Sequence, residues 1–305
     1  MRVREIDGLA ALAADYDGIL CDVWGVVHNG VASFAAATDA LSRFRRARGP
    51  VVLVTNAPRP SGPVIEQLRS LGVPDEAYDR IVTSGDVTRR FVAARPGTKV
   101  FHLGHPRDLP FYEGLPVELV GEDEAELVSC TGLFDDYTET PEDYREMLGR
   151  FVARGLVMVC ANPDIVVERG DTLVYCAGAL ARLYDELGGE TVLAGKPHPP
   201  IYRTALELTG LPPGARVLAI GDALGTDARG ARNAGLDLLF VSGGIHEADF
   251  GPPGAPDPER IAMHFRAEGL EAVGYMPHLA WSRSAGGNAK PDVAGEALVT
   301  RTGGR

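Results

Sequence analysis

Short apolar runs alternate with amphipathic helical patterns along most of the chain. Unbroken apolar runs between helices are typical of strands in a parallel sheet, because helices then cover both faces of the sheet. The pattern therefore predicts an α/β fold with a doubly wound, Rossmann-like parallel sheet. The predicted strands lie in GILCDV (18–23), PVVLVTN (50–56), RIVTSG (80–85), TKVFHLG (98–104), AELVSCTG (125–132), GLVMVCANPD (155–164), TVLAGKP (191–197), RVLAIGD (216–222) and LDLLFVSGG (236–244).

Polar side chains stand where several of these predicted strands end. Asp22 and Asp222 each terminate an apolar run. Thr55 and Asn56 terminate a third run, and Lys196 follows a fourth. Sites in parallel sheets lie beyond the carboxyl ends of the strands, so we expect these five side chains to converge at one edge of a sheet.

This combination of groups suits phosphate chemistry. Two carboxylates and a backbone oxygen form a hard oxygen site of the kind that Mg²⁺ prefers. A lysine can neutralise a further anion, and a hydroxyl with free amides can hold phosphate oxygens. An aspartate carboxylate can also attack phosphorus and form an aspartyl-phosphate. Charge neutralisation and positioning are most of what phosphoryl transfer requires.

Composition narrows the range of partners. The 305 residues carry a formal charge of −12, which disfavours nucleic acid and anionic membranes as partners. No apolar run approaches the length of a membrane span. The four cysteines are far apart and form no C-x-x-C pair, which indicates buried thiols in a reducing compartment and predicts a cytoplasmic protein. They are Cys21, Cys130, Cys160 and Cys176.

Four short motifs resemble those of the haloacid dehalogenase superfamily. In chain order they are DVWG (22–25), VTN (54–56), AGKP (194–197) and GDALGTD (221–227). Two further segments are similar to the class IIA branch, which contains NagD-like and 4-nitrophenylphosphatase-like hydrolases. They are CANPDIVV (160–167), similar to a cap segment, and GARNAG (230–235), similar to the helix after the last motif.

The resemblance implies a two-domain arrangement. In the class IIA branch an α/β cap of the C2 type is inserted between the second and third motifs. We therefore expect the core in residues 1–82 and 189–282, with the cap in residues 83–188. Residues 283–305 are rich in glycine and polar side chains and are expected to form a loosely held tail.

The resemblance also implies roles for individual residues. Asp22 would be the nucleophile and a Mg²⁺ ligand, and the backbone carbonyl of Trp24 would be a second ligand. Asp222 would bind the metal directly, while Asp227 would support the metal site. The implied substrate is a small phosphorylated metabolite, and the resemblance suggests a homodimer formed through the cap.

A second group of residues would handle the substrate. By the resemblance, Thr55 and Asn56 would hold the phosphoryl group. Lys196 would steady the charge on Asp22 and on the phosphate. Asn162 and Asp164 would reach the leaving group from the cap.

Trp24 is the main departure from the family pattern. Phosphatases of the superfamily carry a second aspartate two residues after the nucleophile, which acts as an acid on the leaving group and a base on water. An indole neither gives nor takes a proton near neutral pH. His28, in the adjacent loop, is a candidate replacement, since imidazole titrates near neutrality; a packing role is an equal alternative.

Several functions remain open on the sequence. The favoured one is a Mg²⁺-dependent phosphatase, slowed or altered by Trp24. The alternatives are a phosphotransferase and a non-catalytic phosphate-binding or regulatory protein. A dehalogenase ranks below these, because a pocket for a neutral haloacid would not need both Asp222 and Asp227.

Overall fold

A computed structural model describes residues 3–169, 172–244 and 246–282. The predicted tail, residues 283–305, lies outside the described residues. Within the described ranges the strands are β1 Gly18–Asp22, β2 Val51–Thr55, β3 Arg80–Thr83, β4 Lys99–Leu103, β5 Glu118–Leu119, β6 Leu127–Cys130, β7 Val157–Cys160, β8 Val166–Arg169, β9 Thr172–Tyr175, β10 Glu190–Leu193, β11 Val217–Gly221, β12 Asp237–Val241 and β13 Gly274–Met276.

Helices follow most of these strands. The α-helices are α1 Ala10–Ala13, α2 Ala35–Ala47, α3 Ser61–Ser70, α4 Ser84–Ala93, α5 Arg145–Ala153, α6 Ala177–Glu186, α7 Pro199–Thr209, α8 Arg229–Ala234, α9 Glu247–Phe250 and α10 Pro258–Ala267. Shorter 3₁₀ segments span Asp75–Ala77, Pro106–Tyr112, Glu122–Glu124 and Pro141–Tyr144. None of the helices in the described ranges is both long enough and apolar enough to cross a bilayer.

The first sheet is parallel and doubly wound. Its strand order is β13-β12-β11-β1-β2-β3, so β1 lies between β2 and β11. The chain builds outward from β1 in both directions, which makes the gap between β1 and β11 a topological switch point. Alternate residues of β1 enter different apolar clusters, with Ile19 in one and Leu20 in another, so both faces are covered. The predicted sheet is confirmed.

A second parallel sheet is inserted between β3 and β11. Its order is β10-β7-β6-β4-β5, and α5 and α6 pack against it through Leu148, Phe151 and Tyr184. This sheet and its helices form the expected α/β cap. Helix α4 spans the two parts, since Val87 packs in a cluster of the first sheet and Val92 in a cluster of the second.

One strand joins a different sheet from the one predicted. The expected core segment 189–282 includes β10, but β10 pairs with β7 of the cap sheet, with Glu190 opposite Val157. The return to the core therefore falls after Leu193 rather than at residue 189. An apolar run predicts that a strand is buried, but it does not say which of two parallel sheets takes the strand.

Not all the strands are evident from the amino-acid sequence. The antiparallel pair β8–β9, the two-residue strand β5 and the three-residue edge strand β13 were missed. All of them are short, and the apolar pattern of the Gly-Tyr-Met segment in β13 is too brief to detect.

Candidate active site

Three carboxylates meet at the carboxyl end of the first sheet. Asp22 ends β1, Asp222 directly follows β11, and β1 and β11 are neighbours, so the two side chains emerge side by side. One oxygen of each, with one of Asp227, lies within 4.8 Å of the other two. Asp22, Asp222 and Asp227 are only 7%, 2% and 4% exposed. The three form a compact, buried acidic cluster.

A π-helical turn brings Asp227 into this cluster. In Leu224–Ala228 the wider turn is closed by a hydrogen bond from Ala228 N–H to the carbonyl of Ala223, at 3.1 Å. The backbone N–H of Ala223 donates in return to Asp227 Oδ2 at 3.2 Å. Turns of this kind are frequent at functional sites. The local backbone thus fixes the direction of the carboxylate.

Lys196 binds two of the three carboxylates. Its Nζ lies 2.5 Å from Asp22 Oδ1 and 2.7 Å from Asp227 Oδ1. Burial alone would lower the pKa of Lys196, but Asp22 and Asp227 outweigh it and raise that pKa well above its usual value. The ammonium is therefore charged at neutral pH, and it offsets part of the cluster's negative charge.

The cluster still holds more negative than positive charge. Burial raises the pKa of Asp22, Lys196 opposes this, and Asp227 and Asp222 add to it. Holding three ionised carboxylates here with one ammonium is therefore costly unless another cation binds. The donor set, made only of carboxylate oxygens, is the set that Mg²⁺ favours, and the geometry fits such an ion.

Glycines line the Asp222 carboxylate. Gly25 lies in the motif DVWG, but neither it nor Gly244 was assigned a role from the sequence. A Cβ at Gly25 or Gly244 would lie 2.1 or 1.8 Å from Asp222 Oδ2. Gly25 also has a φ of +82°, which disfavours other residues. Only glycine lets the backbone approach the carboxylate this closely. For Gly244 the detectable signal was the pair Gly243–Gly244, which stands one residue after the run LDLLFV (236–241).

Thr55 and Asn56 lie beside this cluster at the end of β2. Thr55 is the last residue of the strand, and its Oγ1 accepts a hydrogen bond from the N–H of Ala57 at 3.3 Å. Asn56 is bound to the backbone of Lys196 and to the side chain of Asp164. The structure therefore brings both residues to the predicted edge, with the amide of Asn56 already engaged by protein groups.

The cap loop after β7 closes onto the first sheet. Asp164 Oδ1 accepts a hydrogen bond from Asn56 Nδ2 at 2.9 Å, across the boundary between the sheets. Asn162 Oδ1 accepts one from the N–H of Asp164 at 3.0 Å, which makes a local turn. Burial raises the pKa of Asp164, while Asn56 lowers it. Both predicted cap residues thus lie next to the site.

Trp24 and His28 pack against each other in the loop after β1. The indole is 49% exposed, and its ring is 5.2 Å from that of His28, edge to face. A Cβ at Gly30 would lie 2.4 Å from the indole. The Nδ1 of His28 accepts a hydrogen bond from Gly30 N–H at 2.9 Å, and burial lowers the pKa of His28. The imidazole is therefore neutral near pH 7, with its proton on Nε2.

The fold and the cluster define a class of protein. A doubly wound sheet with an aspartate at its switch point, a lysine between two aspartates and an inserted α/β cap is the arrangement of the haloacid dehalogenase-like hydrolases. Family models agree: one described as haloacid dehalogenase-like hydrolase matches residues 19–116, and a second, described as HAD-hydrolase-like, matches residues 193–267.

The chain belongs to the haloacid dehalogenase-like hydrolase family, in the class IIA branch. It is similar to a hydrolase of this family from Brucella suis 1330, with 50% identity, a TM-score of 0.75, and coverage of 90% of this chain and 100% of that one. It is 26% identical to the ribonucleotide monophosphatase NagD of Escherichia coli, over 76% of this chain and 89% of that protein. It also resembles a calcium-bound glycerol phosphate phosphatase from Mycobacterium tuberculosis, with 26% identity, a TM-score of 0.62, and coverage of 82% and 76%.

Proposed function

We propose that the protein is a Mg²⁺-dependent phosphatase of small phosphorylated metabolites that forms an aspartyl-phosphate at Asp22. The observation that carries this proposal is the buried cluster of Asp22, Asp222 and Asp227 with Lys196 bound to two of its members. The names of two relatives support it, since NagD is a ribonucleotide monophosphatase and the mycobacterial protein is a glycerol phosphate phosphatase.

In this mechanism Asp22 attacks the phosphorus of the bound ester. The new bond joins a carboxylate oxygen to phosphorus, and the P–O bond to the leaving group breaks with its electrons going to the leaving oxygen. Water then attacks the phosphorus, and the bond from phosphorus to the Asp22 oxygen breaks with its electrons returning to the carboxylate. Phosphate is released, and the proton that the water loses passes through solvent to the leaving oxygen. Lys196 holds Asp22 in place and offsets the negative charge of the carboxylate and of the phosphoryl group.

The remaining site residues have supporting roles in the proposal. Asp22, Asp222, Asp227 and the carbonyl of Trp24 would hold Mg²⁺, which would offset the charge of the phosphoryl oxygens. The Thr55 hydroxyl would donate to a phosphoryl oxygen. Asn162 and Asp164 would face the leaving group from the cap.

Trp24 determines which substrates react fast in this proposal. The absent acid–base group is worth roughly 10²–10⁴-fold in rate. His28 is a weak substitute as an acid, because its pKa is lowered by burial and its Nδ1 is held by Gly30. We therefore expect esters with good leaving groups, which need no proton, to react much faster than alkyl phosphates.

The decisive experiment measures hydrolysis of 4-nitrophenyl phosphate with Mg²⁺, for the wild type and for Asp22→Asn. We expect turnover in the wild type and a loss of at least about 10³-fold in the variant, because the nucleophile is gone. Asp136→Asn, a buried carboxylate of the cap, is the matched control and should retain activity.

The other functions predict different results in the same experiment. A phosphotransferase would release 4-nitrophenol faster when an acceptor alcohol is added, with phosphate appearing on the alcohol. A regulatory protein would bind phosphate without turnover. Equal activity of wild type and Asp22→Asn would contradict the proposed mechanism.

A further inference from the structure

The side-chain amide of Asn56 has no hydrogen-bonding capacity left for an additional donor role. Its Oδ1 accepts from the backbone N–H of Lys196 at 2.7 Å. Its Nδ2 donates to the carbonyl of Lys196 at 3.1 Å and to Asp164 Oδ1 at 2.9 Å, which uses both of its hydrogens. The orientation of the amide is unambiguous, because the Lys196 N–H can only donate and so must face an oxygen.

Lys196 needs such an anchor because of where its backbone comes from. It follows β10, which belongs to the cap sheet, yet its ammonium binds Asp22 and Asp227 at the end of the first sheet. The lysine therefore lies in the segment that passes from one sheet to the other. Asn56 follows β2 of the first sheet and binds both backbone groups of this lysine.

Close packing at the same point leaves little room for another arrangement. A Cβ at Gly195 would lie 2.5 Å from Asn56 Oδ1 and 2.7 Å from Cδ of Pro163. The cap loop that carries Pro163 and Asp164 thus lies directly against the segment that carries Lys196. Asn56 contacts both, and Asn56, Asn162 and Lys196 are all buried.

We propose that Asn56 is a positioning residue that fixes Lys196 to the first sheet and links it, through Asp164, to the closed cap loop. Its two bonds to the lysine backbone set where the ammonium stands relative to Asp22. The bond to Asp164 is the one that breaks when the cap loop moves away. Asn56 thus couples cap closure to the placement of the catalytic lysine.

This role differs from the one implied by the family resemblance, in which Asn56 holds the phosphoryl group. A side chain that binds a phosphoryl oxygen must offer it a hydrogen, and both hydrogens of Nδ2 are already donated to protein oxygens. The two roles predict different behaviour of the Lys196 amide in the absence of any substrate.

Hydrogen exchange of the Lys196 amide is the primary test, since it does not depend on turnover. Asn56→Ala removes the acceptor of that amide, and we expect at least about tenfold faster exchange there. Asn233→Ala is the matched control. The exposed side chain of Asn233 donates a hydrogen bond at 3.1 Å to the carbonyl of Pro197, the residue that follows Lys196. This variant should leave the exchange of the Lys196 amide unchanged.

A swapped pair tests the link to the cap. Asn56→Asp keeps an acceptor for the Lys196 amide but sets a second carboxylate against Asp164. In the double variant with Asn56→Asp and Asp164→Asn, a donor and an acceptor again face each other between positions 56 and 164. We expect Asn56→Asp alone to speed exchange in the cap loop after β7, and the double variant to restore protection there.

Kinetics supply a second measurement, which rests on the proposed function. A misplaced lysine costs turnover rather than affinity, so Asn56→Ala should lower kcat on 4-nitrophenyl phosphate by about 10²-fold while changing KM little. Wild-type inactivity would defeat the proposed function and leave the exchange experiment to decide this inference. Unchanged exchange at Lys196 in Asn56→Ala, with weakened vanadate binding, would overturn it in favour of a phosphoryl ligand.

Discussion

The first sheet and the cap differ in how their buried carboxylates are neutralised. At the first sheet, three buried carboxylates face the single ammonium of Lys196. In the cap, the buried carboxylate of Asp136 pairs with Arg107, whose side chain is 46% exposed. The first arrangement has surplus negative charge, and the side chain of its cation is only 5% exposed. In the second, Arg107 also lies 3.9 Å from Asp108, and its guanidinium is open to solvent.

The difference shows that parallel topology alone does not create a site. Cap strands β4, β6 and β7 end in Leu103, Cys130 and Cys160, which are neutral and pack in the cap's core. In the first sheet, β1 ends in Asp22, β2 ends in Thr55, and Asp222 directly follows β11. Surplus buried charge is costly, and its presence at one sheet marks the place where an external cation and an anionic substrate are expected to bind.

The largest expected effect comes from removing the single ammonium. Lys196→Met leaves Asp22 and Asp227 buried without their partner, and we expect a loss of about 3–5 kcal/mol in the free energy of unfolding. Arg107→Met in the cap should cost less, because it removes one ion pair of one buried carboxylate instead of the pairs of two, and solvent reaches the half-exposed guanidinium. Urea unfolding at pH 7 without Mg²⁺ measures both. Equal losses would contradict the contrast between the two regions.

Binding of a divalent cation should stabilise the protein through the first sheet only. At a Mg²⁺ concentration near 100 times its Kd, we expect a gain of about 2.7 kcal/mol, seen as a higher Tm that a chelator reverses. Asp222→Asn should remove most of this gain, whereas Asp136→Asn in the cap should leave it intact. A response that survives in Asp222→Asn would place the ion elsewhere.

Trp24→Asp tests whether the rim of the first sheet lacks only a proton-transfer group. We expect hydrolysis of an alkyl phosphate to rise at least about tenfold, since general acid–base catalysis is worth roughly 10²–10⁴-fold. Hydrolysis of 4-nitrophenyl phosphate should change less, because its leaving group needs no proton. Trp24→Phe is the control for loss of the indole. An unchanged or lower alkyl rate would show that Trp24 has a role of its own.

The smallest expected effect concerns thiols that both regions bury. Burial raises the pKa of Cys21 and Cys130, and that of Cys160 to about 12, so none should form a thiolate at pH 8. We expect these thiols to resist a disulfide reagent in the native protein and to react once guanidinium unfolds it. Fast labelling of Cys130 but not Cys21 would show that the cap opens on its own.

Much of the fold followed from local patterns. Unbroken apolar runs predicted a doubly wound parallel sheet and the positions of most strands, because such runs report burial on both faces. The pattern did not predict that β10 pairs with β7 at the edge of the cap sheet, since an apolar run does not identify which of two parallel sheets takes the strand. It also missed β13, which is too short to show a period.

For the site, the sequence predicted several of the residues but not all of their contacts. Asp22 and Asp222 could be found because β1 and β11 are parallel neighbours whose carboxyl ends meet at one edge. Lys196 was expected at the same edge and lies there, although its strand, β10, belongs to the cap sheet. The hydrogen bonds of Asn56 could not be found, because its partners Asp164 and Lys196 are 108 and 140 residues away in the chain. The roles of these residues in catalysis stay predictions.

The sequence by itself determined which residue types stand at the ends of the strands. It also placed at position 24 an indole, which neither gives nor takes a proton near neutral pH. These are properties of single side chains and short segments, so local sequence specifies them. Only the tertiary structure decided that Lys196 crosses from the cap to two core carboxylates and that Gly244 closes on Asp222. Such contacts join residues that are far apart in the chain. The local apolar pattern does not predict which distant residues meet, because it reports only the burial of each short segment.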